Sequence, residues 1–332
     1  MVRRLAGCAA FCVIMCFVGA EASESYFQNL QFSFGPSSSM DDPRTLSNNY
    51  CTVGIKKYVN SFTSYQFPNP FFPAQDPLSR LEFPIDQWFM GIESEHNARW
   101  WSLRCQGWAN VSREGSLKMQ DSDWDDENNP SQKTIFSESK CRLNRGLLFD
   151  IGLSTATPLE KLINVRPVFG YRYEYFWFTT HDGSQAVLGT EASDLPGDGI
   201  DFRQTFYHYY VGGMLNATLR RLNTAGSRPE INVACQVDYA VVTARNEDLH
   251  LLRTGDRITT ERTAGHCWHA CLRVLFAGNE TIRGGVEADF KRLLTNGSHQ
   301  LSNSIFNIDF SFSGSKVWSD QATVSAFAQM KF

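Results

Sequence analysis

Two pairs of side chains in this sequence have the residue types and the spacing needed for hydrolytic chemistry. Asp121 and Asp123 are separated by one residue, and so are Asp248 and His250. In an extended chain residues i and i+2 point the same way, so each pair can face one space. A histidine beside a carboxylate can act as a general base on water, and two close carboxylates can share a proton and hydrogen-bond that water. Together the pairs predict a hydrolase site without a serine, cysteine or metal nucleophile.

The composition around the first pair also fits a simpler interpretation. The segment 121–129 is rich in Asp, Asn and Glu, which is typical of a solvated loop. The elements that carry the two pairs must decide between these interpretations.

The bulk composition indicates a folded chain that does not bind nucleic acid. Hydrophobic residues make up 42% of the 332 residues, and the formal net charge is −4, without a basic patch. After the N-terminal segment, every apolar stretch is interrupted by charge within about ten residues, too short for a helix to cross a bilayer. A membrane location would therefore depend on strands.

The N-terminus has the pattern of a secretory signal peptide. Arg3 and Arg4 precede an apolar stretch over 5–20, and Ala20-Glu21-Ala22 offers a cleavage site. We expect a signal peptide at 1–22 and a single domain at 23–332; a lipoprotein box at 5–8 is the competing interpretation. Removal of the signal leaves six cysteines whose pairing is open in an oxidising compartment: Cys51, Cys105, Cys141, Cys235, Cys267 and Cys271.

The rest of the chain alternates apolar and polar residues in stretches of about ten, as transmembrane strands do. From Val324 to Met330 the apolar residues fall on one face, before a terminal Phe332. Along 231–250, Asn246, Asp248 and His250 share the polar face, which should line the lumen. Aromatic residues at 171, 173, 175 and 177 face outward and suggest a girdle at the membrane interface.

These patterns predict an all-β fold: a ten-stranded antiparallel transmembrane β-barrel with long extracellular loops and short periplasmic turns. The strands are expected near 48–60, 76–94, 99–113, 140–153, 162–179, 203–220, 230–247, 263–277, 281–294 and 321–332. Long loops are expected at 61–75, 114–139, 180–202, 248–262 and 295–320, with 305–312 extending a hairpin. Pro84 and Pro167 fall inside predicted strands, where each removes a donor; a soluble secreted β-sandwich is the alternative fold.

The two pairs lie in motifs that resemble those of the omptin family of outer-membrane endoproteases. The first motif is Met119-Gln120-Asp121-Ser122-Asp123-Trp124, followed by Asn129-Pro130 and Glu138-Ser139. The second is Asn246-Glu247-Asp248-Leu249-His250, followed by Gly255 and Arg257-Ile258-Thr259. Weaker matches are Ser79-Arg80-Leu81-Glu82, Gly107-Trp108, Gly170-Tyr171 with Phe178, and Gln204 with Phe206. The similarity runs in order from about residue 50 to the terminal Phe.

This resemblance implies a barrel that rises above the bacterial outer membrane and an active site that faces outside. It implies endoproteolysis of exposed peptides and proteins by water activated between Asp121/Asp123 and Asp248/His250. Omptins usually cut between two basic residues, but here Asn246 stands where much of the family has an acid. Asn246, Glu247 and Glu138 are therefore the candidate specificity residues, and the dibasic preference is left open.

The resemblance also bears on partners and cofactors. The family depends on lipopolysaccharide bound to the outer wall through a basic and acidic patch, at positions that correspond here to Tyr171, Tyr173, Tyr175 and Thr205. Only Tyr171 matches the family, so the contact with lipid A is either lost or rebuilt from aromatic residues. Lipopolysaccharide is a candidate activator on the resemblance alone. No cofactor or metal is expected, although Cys267, His269 and Cys271 share lumen parity and could ligate zinc or copper; a disulfide or simple packing is the favoured interpretation. The alternative function is an adhesin or binding barrel of the same fold, and a diffusion pore is disfavoured because side chains should fill a ten-stranded lumen.

Overall fold

The computed structural model describes residues 30–33, 48–98, 100–155, 165–221, 230–255, 257–276 and 281–332. The predicted signal peptide at 1–22 lies outside the described residues. Within them there is no helix of the length and apolarity that crossing a membrane requires. The elements of the described chain are strands, all of them paired antiparallel.

The strands are numbered in chain order. They are β1 (Leu30–Ser33), β2 (Asn48–Tyr58), β3 (Ser61–Phe67), β4 (Ser79–Ile85), β5 (Trp88–Asn97), β6 (Trp101–Asn110), β7 (Glu114–Asp123), β8 (Ile135–Thr155), β9 (Val165–Val187), β10 (Ser193–Arg221), β11 (Glu230–His250), β12 (Arg257–Phe276), β13 (Ile282–Asn303) and β14 (Ile308–Lys331).

Ten of these strands close into a ring, which confirms the predicted barrel. The order is β2-β5-β6-β8-β9-β10-β11-β12-β13-β14, and β14 pairs back onto β2. Closure satisfies the backbone donors and acceptors of every strand in the ring without help from water, which a sheet in hydrocarbon requires. The short β1 pairs with the lower end of β10, at Arg221.

The upper part of the barrel has a second set of three strands. Around one side β3, β4 and β7 replace β2, β5 and β6 between β14 and β8. Each pair β2/β3, β4/β5 and β6/β7 is one barrel strand interrupted for a few residues. At the first interruption Asn60 has a φ of 47°, a left-handed conformation that Asn adopts more readily than most residues.

The strands are longer than the sequence predicted, and much of what was expected to be loop is sheet. The strands β8 to β14 have 20 to 29 residues, whereas about ten residues cross a bilayer. The predicted loop at 114–139 is β7 and the start of β8, and the loop at 248–262 is largely strand. The expected hairpin near 305–312 is present, with its turn between β13 and β14. The barrel therefore rises well above the membrane, as the resemblance implied.

The predicted alternation of faces is confirmed. On β11, Val237 and Val241 are exposed, while Asp238 and Asn246 are 1% and 0% exposed. On β14, Val324 and Met330 face outward, as predicted. Outward apolar residues form a band around the middle and lower ring, and above it the outer wall is polar, for example at Arg245 and Arg262. This band is the surface expected to meet lipid.

The two prolines lie where the described pairing with one neighbouring strand has ended. Pro84 is next to the last residue of β4, just before the interruption at 86–87. Pro167 pairs with Gly213 of β10, but the described pairing of β9 with β8 ends at Val168. The missing N–H of Pro167 therefore removes no ladder bond to β8.

Buried polar side chains fill the lumen at the level of the apolar band. Arg172 Nε donates to Asp150 at 2.8 Å, and Arg273 NH1 and NH2 donate to the two oxygens of Glu93 at 2.6 and 2.7 Å. Arg104 reaches Gln236 at 3.1 Å. The links made by Arg273 and Arg104 join strands far apart in the ring order and close the barrel interior with side chains, which disfavours a diffusion pore.

Candidate active site

The structure brings the four predicted residues to the inner wall of the upper barrel. Asp121 and Asp123 lie on the last three residues of β7, and Asp248 and His250 end β11. The Asp121 pair is therefore on a strand and not in a solvated loop. Asp248 is fully buried, and the side chain of His250 is 17% exposed.

Tyr65, which the sequence analysis did not select, connects the two pairs. Tyr65 of β3 is opposite Leu81 of β4, and Leu81 is opposite Asp121 of β7. Tyr65 is therefore in the same row as Asp121, two strands or about 10 Å away. Its hydroxyl donates a hydrogen bond to Asp248 Oδ2 on the far wall. Asp248 and Asp121 consequently lie at the same height and face one space.

The Asp248–His250 dyad has the geometry of an orienting acid and a base. His250 Nε2 lies 3.5 Å from Asp248 Oδ1. Burial lowers the pKa of His250 below its ordinary 6.5; Asp248 and Asp123 oppose this effect, and Arg257 and Arg253 add to it. His250 is therefore neutral near pH 7 and has a lone pair available for a proton.

The pKa values of Asp121 and Asp123 are raised, whereas that of His250 is lowered. Burial raises the pKa of Asp121 well above 3.8, and the charges of Asp123 and Asp248 raise it further. The pKa of Asp123 is also raised by burial, while a hydrogen bond from Ser79 opposes the shift. Two acids in this situation favour a shared proton. Asp121 Oδ1 is buried and accepts no hydrogen bond from the described residues.

A second acid–histidine pair lies behind the dyad. His299 Nδ1 is 2.8 Å from Glu261 Oε1, and both side chains are buried. Phe67 stacks on the His299 ring at a centroid distance of 4.1 Å. Tyr65 stacks on Phe202 at 5.5 Å, so the tyrosine that holds Asp248 is itself held by packing. A signal for Glu261 was present in the sequence, because it shares lumen parity with Cys267 and His269.

The structure separates the three candidate specificity residues. Asn246 is inside the barrel and fully buried, where its Oδ1 accepts from Gln204 at 3.0 Å. Glu247 is on the outer wall, with Arg203 at 3.5 Å. Glu138 also faces outward, because it is opposite Gln120 while Ser137 is opposite Asp121. Of the three, only Asn246 is placed where it could meet a substrate in the lumen.

The cysteines and the possible metal ligands lie lower in the barrel. All six described cysteines are unpaired. Both ring nitrogens of His269 are within hydrogen-bond distance of carboxylates, Asp238 at 2.6 Å and Asp289 at 2.8 Å. Cys271, Glu287 and Asp289 have ligand atoms within 4.8 Å of one another, but Glu287 already binds Arg273 at 2.8 Å. These groups form an internal polar network.

The outer wall at the expected lipopolysaccharide positions is aromatic. Tyr171 packs against Tyr209 with ring centroids 5.3 Å apart, and Tyr173 packs against Tyr207 at 5.6 Å. These rings belong to neighbouring strands β9 and β10, in the upper part of the outward apolar band. Aromatic rings of this kind are typical of the membrane interface.

The closed ring, its apolar outer band and its extension above that band define an outer-membrane β-barrel with an acid and histidine cluster near its outer mouth. The sequence profile of the omptin family matches residues 75–267, which is more than half of the chain and includes all four candidate residues. The chain belongs to the omptin family, a family of bacterial outer-membrane proteases.

One solved structure has the same fold. The outer membrane protease OmpT from Escherichia coli is 17% identical, with a TM-score of 0.70, and the match covers 90% of this chain and 98% of that one. At this identity the likeness shows a common fold. The β domain of the Bordetella autotransporter BrkA is 6% identical, and the match covers 86% of this chain and 100% of that one. Its TM-score of 0.29 means that the two barrels differ in shape. A search of curated protein sequences gave no match.

Proposed function

We propose that this barrel is an endopeptidase of Asp/His type, which cleaves exposed peptides and proteins with water activated between Asp121/Asp123 and Asp248/His250. One observation carries the proposal: a neutral histidine beside a buried carboxylate faces a pair of acids with raised pKa values, in the upper half of the barrel. An acid pair that keeps a proton and a base that has lost one are the two states that hydrolysis by water needs.

In the proposed reaction His250 takes a proton from water, and the resulting hydroxide attacks the carbonyl carbon of the scissile bond. The Nε2–H of His250 points to Asp248 in this tautomer, which leaves Nδ1 to accept the proton. The shared proton of the Asp121/Asp123 pair hydrogen-bonds the water and then the developing oxyanion. His250 then gives its proton to the leaving amine as the C–N bond breaks.

Tyr65 and Ser79 act as positioning residues in this scheme. Tyr65 fixes one oxygen of Asp248, which leaves Oδ1 to face His250. On the opposite wall the side chain of Ser79 hydrogen-bonds to Asp123. Asp248 and Asp123 therefore each keep one oxygen for the reaction, because the other is engaged by the barrel wall.

The substrates in this proposal are polypeptides outside the cell, and the membrane partner is outer-membrane lipid. Lipopolysaccharide remains a candidate activator that would contact the wall near Tyr171 and Tyr173. The aromatic character of that wall favours contact with the sugar and acyl portions of such a lipid over its phosphates. No metal or nucleotide has a role in this scheme.

The test is cleavage of a randomised peptide library by the refolded barrel, with and without lipopolysaccharide. We expect cleavage to fall by at least about 100-fold in His250→Ala, because general-base catalysis contributes roughly that much or more. His96→Ala is the matched control, since His96 is exposed near the other end of the barrel. Its cleavage should equal that of the parent chain.

Two other outcomes would change the conclusion. Cleavage that persists in His250→Ala under both lipid conditions would assign the activity to another site. The absence of any His250-dependent cleavage, together with saturable binding of peptides, would favour the alternative of a binding barrel.

A further inference from the structure

A row of large apolar side chains lines the inner wall of the barrel mouth at the top of β14. Ile308, Phe310 and Phe312 are two residues apart on that strand, so they share a face. The contacts of Phe312 identify this face as the inner one. Its ring centroid lies 4.9 Å from that of His299 and 6.2 Å from that of Phe67, and both of these side chains are buried in the barrel. The top of β14 therefore turns aromatic side chains toward the lumen.

Ring contacts continue this row from the rim down to the candidate site. The ring of Phe71, in the loop between β3 and β4, stacks on Phe310 at a centroid distance of 5.4 Å. Phe310 contacts Phe312 at 5.6 Å, and below them Phe67 stacks on Tyr65 at 6.5 Å. Tyr65 is the positioning residue of the proposed dyad. We call the four phenylalanines the aromatic row, and it forms an unbroken apolar path from the rim to the site.

The upper end of the aromatic row is exposed. Phe71 is 81% exposed and Phe310 is 38% exposed, and the neighbouring turn between β13 and β14 adds Ile305 at 64% and Phe306 at 62%. Clustered exposed apolar side chains of this kind mark a binding surface. Asn303 Oδ1 holds the turn, because it accepts hydrogen bonds from the backbone N–H groups of Ile305 and Phe306, both at 3.1 Å. The surface is therefore built into the fold.

Membrane lipid lies too far below to cover this surface. On β13 the outward apolar residues end at Leu294, and the outward positions above it are Asn296, Ser298 and Gln300. Asn303, at the end of β13, is nine residues beyond Leu294, which corresponds to about 30 Å of strand. A wall of polar side chains therefore separates the exposed rim from the apolar band.

The aromatic row is in register with the candidate site. Phe310 of β14 is opposite Leu301 of β13. Leu301 is opposite Thr259 of β12, which is itself opposite Asp248 of β11. Three strand spacings, or about 14 Å, separate Phe310 from Asp248, and an extended peptide covers that distance in about four residues. A polypeptide bound at the site therefore reaches the aromatic row within a short stretch of its own chain.

We propose that the aromatic row, together with Ile305 and Phe306, is a subsite that binds a large apolar side chain of the substrate about four residues from the scissile bond. The occupant belongs to the polypeptide that is cleaved, because the row is continuous with the site and separate from the lipid. Contact with such a side chain removes ring surface from water on both partners. The inference rests on the proposed function for its cleavage readout, and it leaves the residues that flank the cut open.

The experiment uses a peptide that the parent barrel cleaves, with Phe, Leu or Ser placed in turn three to five residues from the cut on either side. The barrel is held in lipid vesicles, because detergent would compete for an exposed apolar surface. We expect the Phe peptide to exceed the Ser peptide in kcat/KM by about tenfold at one position, the factor that partial burial of an aromatic side chain supplies. The Leu peptide should fall between them.

Two sets of variants test whether the aromatic row causes this preference. In the double variant Phe71→Ser with Phe310→Ser the ratio of Phe to Ser peptide should fall to about one. Phe71→Leu with Phe310→Leu should keep part of the preference, because the surface stays apolar. Leu188→Ser is the matched control and should keep the parent ratio, since Leu188 is 56% exposed in the turn between β9 and β10, with β11 and β12 between it and the row.

A binding measurement separates this inference from the proposed function. His250→Ala removes the candidate base and leaves the aromatic row intact, so binding of the Phe and Ser peptides to it reads the subsite without hydrolysis. Tighter binding of the Phe peptide, lost when Phe71→Ser and Phe310→Ser are added, would support the subsite even if no cleavage depends on His250.

Two results would overturn the inference even if cleavage is observed. One is equal binding of the Phe and Ser peptides, or a preference that the added serine substitutions leave unchanged. The other is the same gain from Phe at every position tested, which would assign the effect to general apolar adsorption and not to a subsite in register with the cut.

Discussion

The candidate base works only while His250 is neutral, and four charged neighbours set its pKa. Asp248 and Asp123 raise it, Arg257 and Arg253 lower it, and burial has the largest effect and lowers it. The acidic limb of kcat/KM should therefore lie below pH 6.5, the ordinary value for histidine. Activity is lost as the pH falls through the pKa of His250, because protonation removes the lone pair that accepts the proton of water.

Substitutions should move this limb in opposite directions. Asp248→Asn removes a charge that favours protonation, so the limb should shift to lower pH while kcat falls. Arg257→Gln removes a charge that opposes protonation, so the limb should shift to higher pH. Profiles of kcat/KM from about pH 4 to about pH 9 would measure both shifts. Shifts in the same direction, or none, would show that His250 is not the titrating base.

The sequence predicted the four candidate residues but not their supports. Asp248 and His250 could be placed on the lumen face because parity counts along an extended strand. Tyr65 and Glu261 were missed because the sequence analysis placed 61–75 and 248–262 in loops. Arg257 was named in the second motif, but no role was assigned to it. Where both faces of a strand carry polar side chains, as at Glu261 inside and Arg262 outside, the apolar alternation that reveals a strand disappears.

At the scale of elements, the position of the acid pair depends on how β7 begins. Asp86, at the interruption between β4 and β5, accepts hydrogen bonds from Ser116 N at 2.6 Å, Ser116 Oγ at 2.9 Å and Leu117 N at 3.2 Å. Its own side chain is buried. This carboxylate therefore holds the first residues of β7, the strand that ends in Asp121 and Asp123.

Asp86→Ala should lower the free energy of unfolding by about 1–3 kcal/mol, because it removes three hydrogen bonds that a buried carboxylate accepts. It should also lower kcat, since β7 loses its anchor although no group of the site is changed. Denaturant unfolding of the refolded barrel and peptide cleavage would measure the two effects. Asp194→Ala, at an exposed position at the start of β10, is the control. Unchanged kcat in a destabilised Asp86→Ala barrel would show that β7 is fixed by its strand partners alone.

The sequence predicted ten barrel strands but could not show that three of them are interrupted. The interruptions near 59–60, 86–87 and 111–113 change the partners above and below, from β2, β5 and β6 to β3, β4 and β7. A sequence pattern reports which face a residue occupies and not which strand it pairs with. The upper strand β7 therefore looked like part of a loop, although it carries half of the candidate site.

For the whole molecule, the barrel divides into a lower half that is held by a buried ionic network and an upper half that carries the site. Arg273 is the centre of that network, since it binds both oxygens of Glu93 and donates to Glu287 at 2.8 Å. Glu93 and Arg273 come from opposite sides of the ring order, on β5 and β12. Their contact spans the lumen and braces the wall from within, while the outer face of the same level is apolar.

Arg273→Met should lower the free energy of unfolding by about 3–5 kcal/mol, because it leaves Glu93 buried without a counter-charge. Arg262→Met is the matched control, since Arg262 is exposed on the same strand. Adding Glu93→Gln and Glu287→Gln to Arg273→Met should recover much of the loss, because the unpaired charges are then removed with their partner. Denaturant unfolding in lipid vesicles would measure all four proteins. A loss below about 1 kcal/mol in Arg273→Met, the level of an exposed ion pair, would mean that water reaches Glu93. The lower lumen would then be open to solvent and not closed by side chains.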